Sequence, residues 1–321
     1  MTTVMVTGTG AIVGYGILQS LRQARQDIRL VAADIFPDAV GQHWADVFEL
    51  APQTRSKEYA GWLRDCLDRH AVNLIIPGIE QDVHRYAVDP DLFLGSPTVV
   101  ALNRPELINL CRDKWLMHEA LRLAGSDSRI PSRLDGDFDE LAETFGLPFL
   151  LKPRVGYASN GLVRVWDREG FLPYRHRLGA ELLAQQLVGS DDEEYTVAVF
   201  GDGKGLVKAS ITLQRRLSVE GATAKATVRH LPDLDWVTEE LCRYFQPLGP
   251  TNLQFRRIES GWRLLEINPR ISSSTSLRTA FGYNESDFCV KYYLEANEIC
   301  QPVILFGQGI RYIADHITYN A

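Results

Sequence analysis

The sequence predicts an N-terminal α/β unit followed by a longer α+β half built on antiparallel sheet. Two observations carry this. Residues 1 to about 105 alternate short apolar runs with helical periodicity, and from Leu182 onward strands follow one another with short turns between them. The length, 321 residues, fits about two domains at ordinary domain size. Linkers are short, which predicts subdomains packed together.

Each element follows from its residues. Val4–Thr7 is a short apolar strand, Gly8-Thr9-Gly10 turns it into a helix from Ile12 to about Arg25, and Ile28–Asp34 is the second strand. Trp62, Leu63, Cys66 and Leu67 give Tyr59–His70 an amphipathic helical spacing, and Val72–Pro77 is a third strand. The order β-α-β-α-β implies a parallel sheet with helices on its faces. After Pro105, Glu106–Ala124 is one or two helices carrying Asp113-Lys114. Phe149–Lys152 is a strand stopped by Pro153, and Leu162–Trp166 is another. Then come strands Leu182–Val188, Tyr195–Phe200, Leu206–Leu213 and Ala222–Val228, a helix Trp236–Phe245, and a hairpin Asn252–Ile258 and Trp262–Ile267.

Composition excludes several classes. Hydrophobic residues make up 45% and charged residues 23%, as in ordinary globular chains and unlike disordered, collagen-like or coiled-coil ones. No apolar run is long enough for a spanning helix, and the first ten residues lack the basic region of a secretory signal. Asp+Glu 41 against Lys+Arg 34 leaves an acidic balance that argues against nucleic acid as partner. The five cysteines show no CxxC pair and are odd in number, so a zinc ribbon and a full disulfide framework are not expected. The expectation is a reduced cytoplasmic protein acting on small molecules, with no membrane or nucleic-acid partner and a homodimer as the default assembly.

Two motifs compete for the chemistry. Gly8-x-Gly10-x-x-x-Gly14 follows a strand, opens a helix and precedes Asp34, which suggests a dinucleotide site. Its spacing departs from GxGxxG, and a tight strand-to-helix turn recruits glycine for its own reasons. The stronger signal is the hairpin. If Glu259-Ser260-Gly261 is a three-residue loop, Ile258 pairs with Trp262, Gln254 falls opposite Glu266 and Asn252 opposite Asn268. Glu266 and Asn268 then share a face with Leu264, while a two-residue loop would break the register. One carboxylate and three amides collected on a patch suit Mg²⁺ held partly by phosphates and water, and Arg270 follows directly. Lys152 ends an apolar strand beside the small, polar segment 156–161, which is able to place backbone N–H groups around phosphate oxygens. The paired Arg215-Arg216 and Lys225 are read either as a carboxylate-binding patch or as a solvated charged face.

In this order the segments resemble the ATP-grasp superfamily, and most of all the ATP-binding halves of carbamoyl-phosphate synthase large subunits and related carboxylate–amine ligases. The most specific stretch is Asn252-x-Gln254-Phe255 followed by Leu265-Glu266-Ile267-Asn268-Pro269-Arg270. The resemblance implies a Rossmann-like pre-ATP-grasp domain at 1–105 that binds no dinucleotide. An ATP-grasp module follows at 106–321, with an A lobe about 106–186 and a B lobe about 187–321. It implies ATP and two Mg²⁺ as cofactors. By position, it gives Lys114 and Lys152 phosphate contacts, and Tyr157, Ala158, Ser159, Asn160 and Gly161 a place in a loop closing over the phosphates. Gln186, Leu187 and Val188 meet adenine in the hinge, and Glu194 holds the ribose. Gln254, Glu266 and Asn268 bind metal, and Arg270 joins Lys152 in stabilising the transferring phosphoryl group. The implied reaction activates a carboxylate as an acyl phosphate for attack by an amine. Phosphorylation of bicarbonate or carbamate is the variant within this class. An NAD(P)-dependent oxidoreductase and a nucleotide-binding regulatory protein are the readings outside it. Gln185-Gln186, where the family often has Gln-Glu, and Ile271–Ser276, where many amino-acid ligases are glycine-rich, leave the acceptor open.

Overall fold

The structure is a computed structural model and describes residues 1–156, 161–218 and 221–317. The N-terminal unit runs β1 (Thr3–Thr7), α1 (Ile12–Ala24), β2 (Arg29–Asp34), β3 (Val47–Leu50), α2 (Tyr59–His70), β4 (Leu74–Pro77), α3 (Glu80–Val88) and β5 (Val99–Val100). Its five strands pair in parallel in the order β3-β2-β1-β4-β5. All of β1 and β4 is buried, as expected of central parallel strands covered on both faces. Sequence pattern alone did not reveal β3, α3 or β5. The two strands are short, and neither is fully buried.

The glycine turn works for the fold. A Cβ on Gly14 would lie 2.2 Å from the Gly8 carbonyl oxygen, and one on Gly78 would lie 2.3 Å from that of Thr7. These glycines therefore let α1 and β4 close onto the β1 turn. The Asp34 carboxylate accepts from the Gly10 N–H at 2.7 Å and the Phe36 N–H at 3.0 Å. The group that would hold a ribose is thus already tied to its own turn.

Next come α4 (Pro105–Arg112) and α5 (Lys114–Leu123), two helices broken at Asp113. Asp113 has extended backbone, and its carboxylate caps α5 by accepting from the Trp115 N–H at 2.9 Å. A four-stranded sheet follows, formed by β6 (Ser132–Arg133), β7 (Phe149–Pro153), β8 (Val163–Val165) and β9 (Leu182–Gln186) in the order β6-β9-β7-β8. It is covered by α6 (Phe138–Phe145), which starts on an Asp137–Glu140 capping box, and by the single turn α7 (Arg168–Phe171).

The last sheet contains β10 (Glu194–Asp202), β11 (Val207–Leu217), β12 (Thr223–Arg229), β13 (Leu248–Ile258), β14 (Gly261–Asn268) and β15 (Gln308–Ile310), ordered β14-β13-β10-β11-β12-β15. Between β12 and β13 lies α8 (Pro232–Phe245), and after β14 come α9 (Thr275–Ala280) and α10 (Glu285–Tyr293). One face packs on α8 together with Leu107 of α4 and Met117 and Leu121 of α5. The other face joins α9, α10 and α1 in one core, where Phe200 and Ile211 meet Phe288, Ile17 and Leu21. The N-terminal unit and the six-stranded sheet are therefore packed around shared apolar contacts.

All five cysteines are free, and burial pushes the Cys66 and Cys242 thiols up to about 12, which leaves them unreactive. Among the described residues no helix is long and apolar enough to cross a membrane.

Candidate active site

A cleft of about 520 Å³ lies between the four-stranded and six-stranded sheets. Its walls are β7 and β9 on one side and β11, β13 and β14 on the other. It gathers Lys114, Lys152, Gln186, Leu187, Val188, Glu194, Gln254 and Glu266 from segments far apart in the chain.

The hairpin reaches its predicted pairing by a different route. The loop has two residues, so Ile258 pairs with Gly261, and this alone would shift the register by one. A bulge between Gln254 and Phe255 takes up the difference: Phe255 faces Leu264, Gln254 faces Glu266, and Leu265 is the extra residue. The bulge also corrects the predicted facing of Leu264, which turns into the core with Trp262 and Ile267. Leu265 and Glu266 both line the cleft. Asn252 does pair with Asn268, but its side chain is fully buried, and its Oδ1 accepts from Thr196 Oγ1 at 2.5 Å and Arg278 Nη1 at 3.3 Å. It belongs to the support beneath the site.

Glu266 Oε1 accepts from Asn268 Nδ2 at 2.9 Å, so the two form one unit. A carboxylate oxygen beside amide oxygens is the hard donor set that Mg²⁺ takes, and these residues fit it. Arg270 stands beyond Asn268 and outside the cleft lining. Its Nη2 lies 3.4 Å from Asn268 Oδ1 and pairs with Glu80 Oε2 of α3 at 3.1 Å. Burial works against the Glu80 carboxylate, but the hydrogen bond with His84 and the Arg270 charge hold it down to about 2.

Lys114 is the first residue of α5, and its Nζ donates to the Gly156 carbonyl at 3.0 Å. Asp113, besides capping the helix, binds Arg154 Nη2 at 2.6 Å, which ties the chain after β7 to the start of α5. Tyr157, Ala158, Ser159 and Asn160 lie outside the described residues. Gly161 has a φ of +75° and packs on Pro153, where a Cβ would come within 3.0 Å. In the hinge, the Gln186 N–H donates to the Pro131 carbonyl at 3.1 Å, and the Val188 carbonyl accepts from Arg256 Nη1 at 3.3 Å. An adenine edge would meet the remaining backbone groups.

Glu194 is buried and committed. Oε1 accepts from Arg215 Nη2 at 3.0 Å, and Oε2 accepts from Arg256 Nη2 at 3.0 Å and Nε at 3.2 Å. Three of a carboxylate's roughly four acceptor positions are filled, leaving about one for a ribose hydroxyl. Arg256 escaped sequence reasoning, and Arg215 was read as surface or substrate contact. The signal for Arg215 was the period-two pattern Ala209, Ile211, Leu213, Arg215, which points it inward.

Lys152 lies on the cleft side of β7. Desolvation lowers its ammonium to about 8, reinforced by Lys114 and Arg256 and opposed by Glu266 and Glu194. The sign follows: the group is charged below about 8 and neutral above, and a bound polyphosphate favours the charged form. Metal-free ADP binding should therefore take up a proton near that pH and weaken by up to about tenfold per pH unit above it. Calorimetry in two buffers of different ionisation heat checks this. Affinity that stays flat from about pH 7.5 to about pH 9.5, or the same slope in Lys152→Met, would refute the assignment.

A second cluster, Glu49, Cys66 and His70, has metal-like spacing. Its groups are already satisfied. Glu49 Oε1 pairs with Arg69 at 2.8 Å and His70 Nε2 at 2.5 Å, and Arg29 Nη2 lies 3.4 Å from His70 Nδ1.

Residues 181–315 match the family model described as ATP-grasp in the biosynthetic pathway with Ter operon. Solved structures of similar fold include N5-carboxyaminoimidazole synthetase from Staphylococcus aureus complexed with ADP, at 18% identity and TM-score 0.74, covering 95% of this chain and 80% of that one. The biotin carboxylase domain of 2-oxoglutarate carboxylase from Hydrogenobacter thermophilus, with MgADP and bicarbonate, matches at 16% identity and TM-score 0.73 over 96% and 73% of the two chains. L-amino acid ligase from Bacillus licheniformis matches at 14% identity and TM-score 0.68 over 92% and 74%. At these identities the likeness establishes a common architecture, with a Rossmann-like N-terminal sheet followed by the antiparallel sheets. The family match covers the C-terminal part of the chain, residues 181–315, and the likeness of fold extends over nearly all of it.

Proposed function

We propose that the cleft binds ATP with Mg²⁺ and that the protein is an ADP-forming ligase, which activates a carboxylate as an acyl phosphate for attack by an amine. The observation that carries this is the convergence of Lys114 and Lys152 with Gln254 and Glu266 on one cleft between two sheets. A carboxylate is a poor electrophile, and phosphorylation turns one of its oxygens into a leaving group. The chain's part is positioning and charge. Lys114 and Lys152 hold the phosphates, and Glu266 with Asn268 holds the metal, Gln254 facing Glu266 across the hairpin. Arg270, braced by Glu80 of the N-terminal unit, is the residue assigned to the transferring phosphoryl group. Mg²⁺, when bound, supplies neutralisation of the charge on the transferring phosphoryl group. The family resemblance implies two such ions.

The same reading divides the chain at about 105 and about 186, into a pre-ATP-grasp domain and two lobes. It also places the protein in the cytoplasm as a homodimer acting on small molecules. Bicarbonate as the phosphorylated acid is the second reading, favoured by the bicarbonate bound to the Hydrogenobacter thermophilus domain. The dinucleotide reading loses its support to Asp34 and the packed glycines.

The test is Mg²⁺-dependent ADP release across pairs of carboxylates and amines, with bicarbonate among the acids and products identified by mass. ADP release that requires one pair establishes the ligase. Tight ATP binding without ADP release from any pair would instead favour a regulatory nucleotide-binding protein.

A further inference from the structure

Arg215 sits at the floor of the cleft, where the second member of a metal pair would be held. It is only 5% exposed, and its Nη2 donates to Gln254 Oε1 at 2.5 Å and to Glu194 Oε1 at 3.0 Å. Among the described residues its Nε is buried without a hydrogen-bond partner. The amide oxygen that Gln254 would offer a metal is therefore already used in a charge-assisted bond. A dication placed there would break that bond and stand beside a guanidinium. Glu194 offers no relief, because Arg215 and Arg256 hold both of its oxygens.

The opposite side of the hairpin differs. Glu266 accepts from Asn268 Nδ2 at 2.9 Å and forms no close ion pair among the described residues, and the contact of Arg270 Nη2 with Asn268 Oδ1, at 3.4 Å, is longer than the 2.5 Å bond that holds Gln254.

We propose that the cleft takes one Mg²⁺, at Glu266 and Asn268, and that the Arg215 guanidinium stands in the place of the second. There it holds Gln254 and faces the polyphosphate. This rests on the ATP reading above and sharpens its metal content.

The test counts Mn²⁺ bound by the full chain in the presence of a non-hydrolysable ATP analogue, by electron paramagnetic resonance. One nucleotide-dependent ion per chain is expected in the wild type, and two would overturn the proposal. Arg215→Met removes the excluding charge and should admit a second ion, whereas Arg215→Lys should stay at one. A folded Arg215→Met that still binds one ion would also overturn it. If Arg215→Met fails to fold, the wild-type count decides. Absence of any nucleotide-dependent Mn²⁺ binding would sink the ATP reading itself, an outcome distinct from a count of two.

Discussion

Replacing Glu266 with alanine should lower Mg²⁺-dependent ADP formation by about a thousandfold or more, the scale of removing a directly aimed electrostatic group from a phosphoryl-transfer site. The size follows from how the other cleft carboxylates are engaged. Asp191 pairs with Arg256 at 2.6 Å, Asp192 with Arg216 at 2.6 Å, and Glu194 with Arg215 and Arg256. Glu266 alone among the four has a neutral partner, Asn268. Among the described residues of the cleft, no other acid is without a cationic partner. Stability should change by no more than about 1 kcal/mol, because the residue is half-buried and forms no close ion pair among the described residues. Metal-free ADP binding should persist, since in the proposed reading the phosphate contacts come from Lys114 and Lys152. Glu266→Gln keeps the size and loses the charge, so it should fail almost as badly as alanine. Turnover near the wild-type value in Glu266→Ala would show that the metal is held elsewhere.

Much of this site was legible because the chain writes it in strands. Period-two alternation put Gln254 and Glu266 on a common patch, and an apolar run ending in a charge marked Lys152. The hairpin shows how a pairing can be right for the wrong reason: the loop is one residue shorter than expected, and the bulge at Leu265 restores the pairing. A bulge has no residue signature of its own here, so the facing of Leu264 could not be read. Charge was the second blind spot. Arg215 reads either as a carboxylate contact or as a solvated face and Arg256 carries no signal, yet both meet Glu194 in the interior, a contact between strands distant in sequence. The third was the stretch from Ile271 to Asp287. Serines, threonines and acids there suggest a solvated segment. In the fold Ser272, Ser274, Thr275, Glu285 and Ser286 are all buried, and one arginine binds two of them, Ser272 and Glu285. Hydrophobic periodicity cannot find helices whose inward faces are polar.

That arginine, Arg278, carries the largest expected effect on stability. It is fully buried, and its guanidinium binds Glu285, Ser272 Oγ at 3.0 Å and Asn252 Oδ1 at 3.3 Å. Arg278→Ala leaves Glu285, itself 1% exposed, as an uncompensated charge in the core. Breaking one member of such a pair costs about 3–5 kcal/mol, a large part of the stability of an ordinary domain. Urea unfolding should show the loss as a lower midpoint with an unchanged slope. The double variant Arg278→Met with Glu285→Leu should recover much of it, because apolar groups of similar volume need no partner. The same double variant separates stability from function. It should fold, but Asn252 loses its guanidinium partner, and Asn252 pairs across the hairpin with Asn268. ADP formation should therefore stay depressed in a well-folded protein. If the double variant regained both stability and turnover, Arg278 and Glu285 would be a replaceable core ion pair with no part in setting the hairpin that carries Gln254 and Glu266.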